Sequence, residues 1–316
     1  MNEASGDQPA KPLVTVIIPT YNRASIVGRA IRSVLGQTYP NWELLVVDDA
    51  STDGTEREVR SYSDKRITYI RHHQNRRVSA ARNTGIRSAQ GEYVSFLDDD
   101  DEWLPEKLAK EVEVFRNSDP EVGLVYTGKT VYDENGRVLR VLMPTLSGWV
   151  YDAMLDRHFI GSPSRVTVKK QVLERVAGFD ETFVNCQDYD LWLRVAKVSK
   201  VAVVPYFVVK RYLLSDSMSG SLRNICEGWE HILMKFRADM KPRTLAKHIS
   251  RVTILLLNYD PRRARALAWE GFRLRPLQPA LLGALSLSML GVDPYRWVFG
   301  AMVRMFDRFY LGRARI

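Results

Sequence analysis

Residues 91–108 read GEYVSFLDDDDEWLPEKL, an apolar run (Tyr93 to Leu97) set directly against four consecutive aspartates, Asp98 to Asp101. The run has the character of a buried strand. Four like charges at its end repel one another and resist desolvation. A divalent cation among their oxygens relieves both problems, and hard carboxylate ligands suit Mg²⁺ or Mn²⁺. Ligands of α/β proteins bind at the carboxyl ends of strands, so the stretch points to a metal-bridged phosphate at the edge of a sheet.

The same pattern repeats on either side. Leu13–Ile18, Leu44–Val47 and Ile67–Ile70 are further apolar, β-branched runs. Helical spacing falls between them, at Ser25–Leu35 and Val78–Ala89, and a third helix starts near Thr52 or Asp53. Ser25 is a candidate cap for the first helix. After the aspartates, Pro105 opens a helix running to about Asn117, and Asp101 is expected to cap it. Strands follow at Val122–Tyr126, Thr130–Tyr132, Val138–Val141, Arg165–Val168 and Val201–Val204, with a turn at 133–136 and a helix at Asp188–Val198. Strands alternating with helices predict an α/β fold, a mostly parallel sheet flanked by helices.

From about Gly220 the chain reads as an all-helical module, with segments near 221–238, 243–258, 261–274, 277–290 and 294–310. Its charge differs from the rest. Residues 241–316 carry 14 Lys/Arg against 4 Asp/Glu, which holds the whole excess behind the net charge of +9. Its apolar runs are too short to span a bilayer. An apolar face with a basic fringe suits a peripheral membrane contact, and a helical subdomain packed on itself is the competing reading. Nucleic acid is the less favoured partner. The expected boundaries are a disordered tail at 1–12, an α/β domain at 13–220 and a basic amphipathic helical domain at 221–316.

Only Cys186 and Cys226 occur, so a disulfide scaffold is not expected and a cytoplasmic setting fits, with peripheral attachment to the inner membrane face as a further option. His72 and His73 fall in a polar stretch and read as surface histidines. Neither a Walker-type nor a dinucleotide-type glycine loop is present. Polar groups instead end three strands, at Pro19-Thr20-Tyr21-Asn22, at Asp48-Asp49 and at Asp98–Asp101. In a parallel sheet these ends share one edge.

Four stretches occur in order: VTVIIPTYNR, ELLVVDDASTDGT, SAARNTGIRSAQGEYVSFLDDDDEWLPEKL and GFDETFVNCQDYDLWLRV. Together they resemble the family 2 glycosyltransferases, over about residues 13–215. The resemblance implies a GT-A-type fold and an inverting transfer from a nucleotide sugar. It places Tyr21 as a stacking platform for the base, with Pro19, Thr20 and Asn22 shaping that wall and Asp49 accepting from the base ring. Arg82 and Asn83 would lie near the base or diphosphate. Asp98 would serve the ribose and metal, and Asp100 the metal directly. Asp99 stands at the variable position on the donor side. Asp188 matches the catalytic base, followed by Asp190, Trp192 and Arg194. The family usually has Glu before that base where this chain has Gln187.

The chemistry implied is a metal-assisted departure of a nucleoside diphosphate, with UDP the expected one and Asp188 taking the proton of an acceptor hydroxyl. The acceptor would be a glycan or a lipid-linked glycan. The alternative is an inactive sugar-nucleotide-binding or membrane-associated scaffold.

Overall fold

The computed structural model describes residues 11–213, 221–257 and 259–276. The chain divides into two units. One comprises Met1–Val150, Phe159–Asp180 and Arg194–Leu214, the other Tyr151–His158, Glu181–Leu193 and Ser215–Ile316. In chain order the elements are β1 (Val14–Thr20), α1 (Val27–Leu35), β2 (Trp42–Asp48), α2 (Thr55–Arg60), β3 (Ile67–Arg71), α3 (Arg77–Ser88), β4 (Tyr93–Phe96), β5 (Asp101–Trp103), α4 (Lys107–Asn117), β6 (Val122–Tyr132), β7 (Val138–Leu142), α5 (Tyr151–Asp156), β8 (Val166–Lys169), α6 (Lys170–Arg175), α7 (Gln187–Val198), β9 (Lys200–Tyr212), α8 (Leu222–Phe236), α9 (Pro242–Leu256) and α10 (Pro261–Leu274).

The first unit is built on one sheet of order β3-β2-β1-β4-β8-β6-β9-β5, with β7 on β6. All seven residues of β1 are buried, as a strand covered on both faces requires. On one side, helix α3 comes so close that a Cβ on Gly85 would lie 2.6 Å from the Ile17 side chain. On the other, α1 turns Val27, Ala30, Ile31 and Val34 into the core.

The sheet is mixed, which corrects the expectation of a mostly parallel one. β1 runs parallel to β2 and β4, β2 to β3, and β6 to β9. β8 is antiparallel to β4 and β6, β7 to β6, and β5 to β9. Connection length explains two of these. A parallel pairing needs a crossover of a dozen or more residues. The tight turn after β6 can only return antiparallel, and the few residues after β4 cannot cross over, so β5 joins β9 instead.

Sequence pattern also split one strand in two. β6 is continuous through Gly128, where the register with β9 shifts. A Cβ there would meet the Tyr206 carbonyl oxygen at 2.8 Å, so the bulge needs glycine. Two capping expectations change as well. Ser25 makes no cap; Ile26 is the N-cap of α1, without a side-chain bond. Asp101 does not cap α4, whose N-cap is Glu106; it opens β5.

A buried polar network fastens α4 beneath the sheet. Lys107 Nζ lies 2.7 Å from Glu111 Oε2 and 3.1 Å from Ser95 Oγ, and Thr167 Oγ1 donates to Glu111 Oε2 at 2.7 Å. Every charge there has a partner, which a fully buried ion pair requires.

In the second unit α9 contacts α5, α8 and α10. Ser221 caps α8 by accepting from the Asn224 N–H, and Asp260 caps α10 by accepting from the Arg263 N–H. The expected helices at 277–290 and 294–310 lie outside the described residues, as do residues 214–220. Among the described residues no helix is long and apolar enough to cross a membrane, and both cysteines are free.

Candidate active site

Because β1, β2 and β4 are mutually parallel neighbours, their carboxyl ends do share one edge. The Asp49 N–H donates to Thr20 O at 2.9 Å, tying the first two ends together. Beyond them the chain turns through Asn22 and Ala50, both at positive φ (53° and 69°). Asn22 Oδ1 accepts the Thr52 N–H at 2.8 Å, and its own N–H donates to Ser51 Oγ at 2.8 Å. Non-glycine residues held in this region are strained, and such strain concentrates at functional sites. Tyr21 stands exposed between these anchored neighbours, 43% accessible as a residue.

Asp49 is buried and oriented from behind. His72 Nδ1 lies 2.7 Å from Asp49 Oδ1, and the Arg76 N–H donates to the same oxygen at 2.9 Å. His72 Nε2 meets Thr84 Oγ1 at 2.9 Å. His72 is therefore a buried member of the edge, which corrects its reading as a surface histidine. The signal available in sequence was its place directly after β3, the strand that pairs with β2.

At the end of β4, one carboxylate oxygen each of Asp98, Asp100 and Asp101 lie within 4.8 Å of one another. Asp98 Oδ1 accepts from Arg82 Nη2 at 2.6 Å. Arg82 is almost fully buried, and its Nε and Nη1 have no hydrogen-bond partner. Asp101 Oδ2 accepts from Ser164 Oγ at 2.5 Å, while its buried Oδ1 has no partner. Trp103 Nε1 donates to Ser164 O at 2.8 Å, which fixes the segment that meets Asp101.

Crowding shows in the acidities. Burial, then repulsion from Asp98 and Asp100, pushes the Asp101 carboxyl up to about 7. Burial, then Asp100, pushes Asp99 up to about 7 as well. Asp100 is raised by burial and by Asp98. Three hard oxygens with a buried unpaired one among them fit a divalent cation, whose charge would remove the repulsion. Asp101, expected only as a cap, is the group that sequence reasoning missed.

Asn83, next to Arg82 on α3, is buried. It clamps the Phe179 backbone, with Nδ2 donating to Phe179 O and Oδ1 accepting the Phe179 N–H, both at 2.8 Å. Lys210 pairs with Glu102 at 2.9 Å.

Asp188 belongs to the second unit. It lies in the first turn of α7, two residues after Cys186, which holds a φ of 62°. Asp188 Oδ1 accepts the Tyr189 N–H at 2.8 Å. Gln187 Oε1 beside it is buried without a hydrogen-bond partner. Burial, then the Asp188 charge, raises the Cys186 thiol. Asp190 is fully buried and pairs with Lys235 Nζ at 2.7 Å, and Trp192 is fully buried. Arg194, in the first unit, donates from Nη1 to Gly178 O at 2.8 Å. These three neighbours hold structure.

Known proteins resemble this chain closely enough to place it. WfgD of Escherichia coli, named a UDP-Glc:alpha-D-GlcNAc-diphosphoundecaprenol beta-1,3-glucosyltransferase, is 32% identical over 223 residues, covering 69% of this chain and 84% of that protein. An uncharacterized glycosyltransferase of Rickettsia felis is 32% identical over 230 residues, covering 67% of this chain but only 36% of its own length. The crystal structure of S. aureus TarS 1–349 in complex with UDP matches with a TM-score of 0.64 at 18% identity, covering 90% of this chain and 91% of that one. That likeness shows the GT-A fold expected from the sequence. The family described as Glycosyl transferase family 2 matches residues 15–177. The chain belongs to glycosyl transferase family 2.

Proposed function

We propose that this chain transfers a sugar from a UDP-sugar to a hydroxyl of a glycan or lipid-linked glycan, with inversion at the anomeric carbon. The observation that carries the reading is the triad of carboxylate oxygens from Asp98, Asp100 and Asp101 at the end of β4, with the buried Arg82 beside it. The similarity to WfgD supports UDP and a lipid-diphosphate acceptor.

Tyr21, exposed on a rigid turn, is the proposed platform for the base, framed by Pro19, Thr20 and Asn22. Asp49, held by His72 and the Arg76 N–H, accepts from the base ring. Asp98 faces the ribose side, with Asp99 next to it. Arg82 and Asn83 lie near the base or diphosphate in this reading, with the Asn83 amide holding the Phe179 backbone. Asp98, Asp100 and Asp101 would hold Mg²⁺ or Mn²⁺. The bound ion would neutralise charge on the departing diphosphate. Asp188 is the proposed base: the acceptor oxygen forms its bond to the sugar C1, the C1–O bond to the diphosphate breaks, and the hydroxyl proton passes to the Asp188 carboxylate. Gln187 stands beside it where the family usually has Glu, so the position next to Asp188 carries no second negative charge.

Screening a panel of nucleotide sugars for metal-dependent release of nucleoside diphosphate tests the reading. UDP release that stops with EDTA and resumes with Mn²⁺ is the expected result. A scaffold would bind nucleotide and release none from any donor.

A further inference from the structure

β5 and β9 set two acid–base couples opposite each other in register, Glu102 with Lys210 and Asp101 with Arg211. Neighbouring residues of a strand face opposite sides, so the couples lie on different faces. The first closes as an ion pair at 2.9 Å. The second does not: Asp101 turns to Ser164, and among the described residues the Arg211 guanidinium makes no hydrogen bond or ion pair.

The face that carries Arg211 gathers more positive charge. Val131 of β6 is the partner of both Arg211 on β9 and Arg140 on β7. Lys129, two residues before Val131, shares that face. Lys129 is 4% exposed, and its Nζ has a single neutral partner, Ser162 Oγ at 3.1 Å. Arg165 is close by, but its guanidinium is spent on backbone carbonyls, at 2.6 Å to Thr127 O and 2.7 Å to Ile160 O. A buried ammonium with one neutral bond is costly. Burial, then repulsion from Arg211 and Arg165, lowers the affinity of Lys129 for its proton, to about 7. The Asp101 charge reaches both Lys129 and Arg211, but among the described residues no carboxylate pairs with either.

We propose that Lys129 and Arg211, with the Ser162 hydroxyl, form a subsite for a phosphate group carried by the acceptor. The assignment to the acceptor rests on the reading given under Proposed function. The base and ribose contacts proposed there follow β1 and β2, on one side of β4 in the sheet. Lys129 and Arg211 lie on β6 and β9, on the other side of β4, between it and β5, which carries Asp101. A phosphate fits better than a carboxylate because two cations converge, with Arg140 near them, and a dianion satisfies both. The guanidinium fork matches two phosphate oxygens. Ser162 accepts from Lys129, which leaves its own O–H to donate.

The test uses the full chain. Calorimetric titration with inorganic phosphate in EDTA, where no metal bridges the donor site, reads the subsite alone; titration with Mn²⁺ and UDP reads the donor site. Saturable phosphate binding is expected, weakened at least about tenfold in Lys129→Met and in Arg211→Gln, as loss of a charged hydrogen bond implies. UDP affinity should stay within about twofold, and saturating Mn²⁺ and UDP should not displace phosphate. Met matches the apolar stem of Lys129, and Arg211 makes no hydrogen bond, so both variants should fold. Absence of phosphate binding by the unaltered chain, or unchanged affinity in both variants, overturns the proposal. Displacement by UDP overturns it too, since the cluster then serves the donor. Loss of phosphate binding in the variants, with no UDP binding by the unaltered chain, removes the donor reading and with it the assignment to an acceptor.

Discussion

His72 Nδ1 lies 2.7 Å from Asp49 Oδ1, with both side chains buried, so the residue that follows β3 orients the carboxylate at the end of β2. The carboxylate lies under a backbone that is itself strained at Ala50. Its position is therefore set by neighbours rather than by its own rotamer freedom.

His72→Ala leaves Asp49 buried with the Arg76 N–H as its remaining bond on that oxygen. We expect UDP affinity to fall about tenfold, the cost of about one charge-assisted hydrogen bond. His72→Asn restores a donor and should recover most of the loss. Equal UDP affinity in all three proteins, by titration calorimetry, would show that the His72–Asp49 contact has no part in donor binding.

Metal binding should depend on pH through Asp101. Its carboxyl, raised to about 7 by burial and by Asp98 and Asp100, holds a proton below that pH in the metal-free chain. A cation must displace that proton, so Mn²⁺ affinity should drop as pH falls from 8 to 6. Asp101→Asn and Asp100→Ala should each weaken Mn²⁺ by at least about tenfold at pH 8. Water-proton relaxation enhancement by Mn²⁺ measures both, and a flat pH profile with unchanged affinity counts against the triad.

Asp188→Asn preserves the shape and removes the proton acceptor. Transfer should fall by at least about 100-fold, the lower bound for a general base, while the Kd for UDP stays unchanged. Full transfer in this variant assigns the proton to another group.

Acid should loosen the second unit through His248. This imidazole is 1% exposed and its Nε2 lies 2.7 Å from Leu155 O. Burial, then the Arg251 charge, lowers its pKa from 6.5 to about 4. The folded side chain thus resists a proton that the unfolded chain accepts. The associated stability is complete above 6.5 and is lost as pH falls toward 4, by about 3 kcal/mol in all. His248→Gln should flatten that part of the dependence, seen as a smaller drop in Tm between pH 7 and 4.5. An unaltered drop would place the acid sensitivity elsewhere.

Much of the sheet was legible because burial on both faces leaves an unbroken apolar run, as in Val16–Ile18 and Leu44–Val47. Three-residue β5 left no such trace. Its first residue, Asp101, looked like a helix cap because it precedes a helix start, and nothing local reveals that Arg211, 110 positions later, is its partner in register. His72 misled for the same reason: a histidine among polar residues is a surface residue unless a distant carboxylate and a hydroxyl enclose it. The two strands expected at Val122–Tyr126 and Thr130–Tyr132 are one, because the bulge that Gly128 permits carries β6 on to Lys129.

By itself the sequence determined the succession of strands and helices, the polar groups at three strand ends and the membership of a glycosyltransferase family, because periodicity and short motifs are local and survive in one dimension. Only the tertiary structure decided that the sheet is mixed, that Asp101 joins Asp98 and Asp100, that His72 stands behind Asp49, and that Lys129 and Arg211 share a face. Those facts depend on register and connection length, which bring together residues that no local pattern relates.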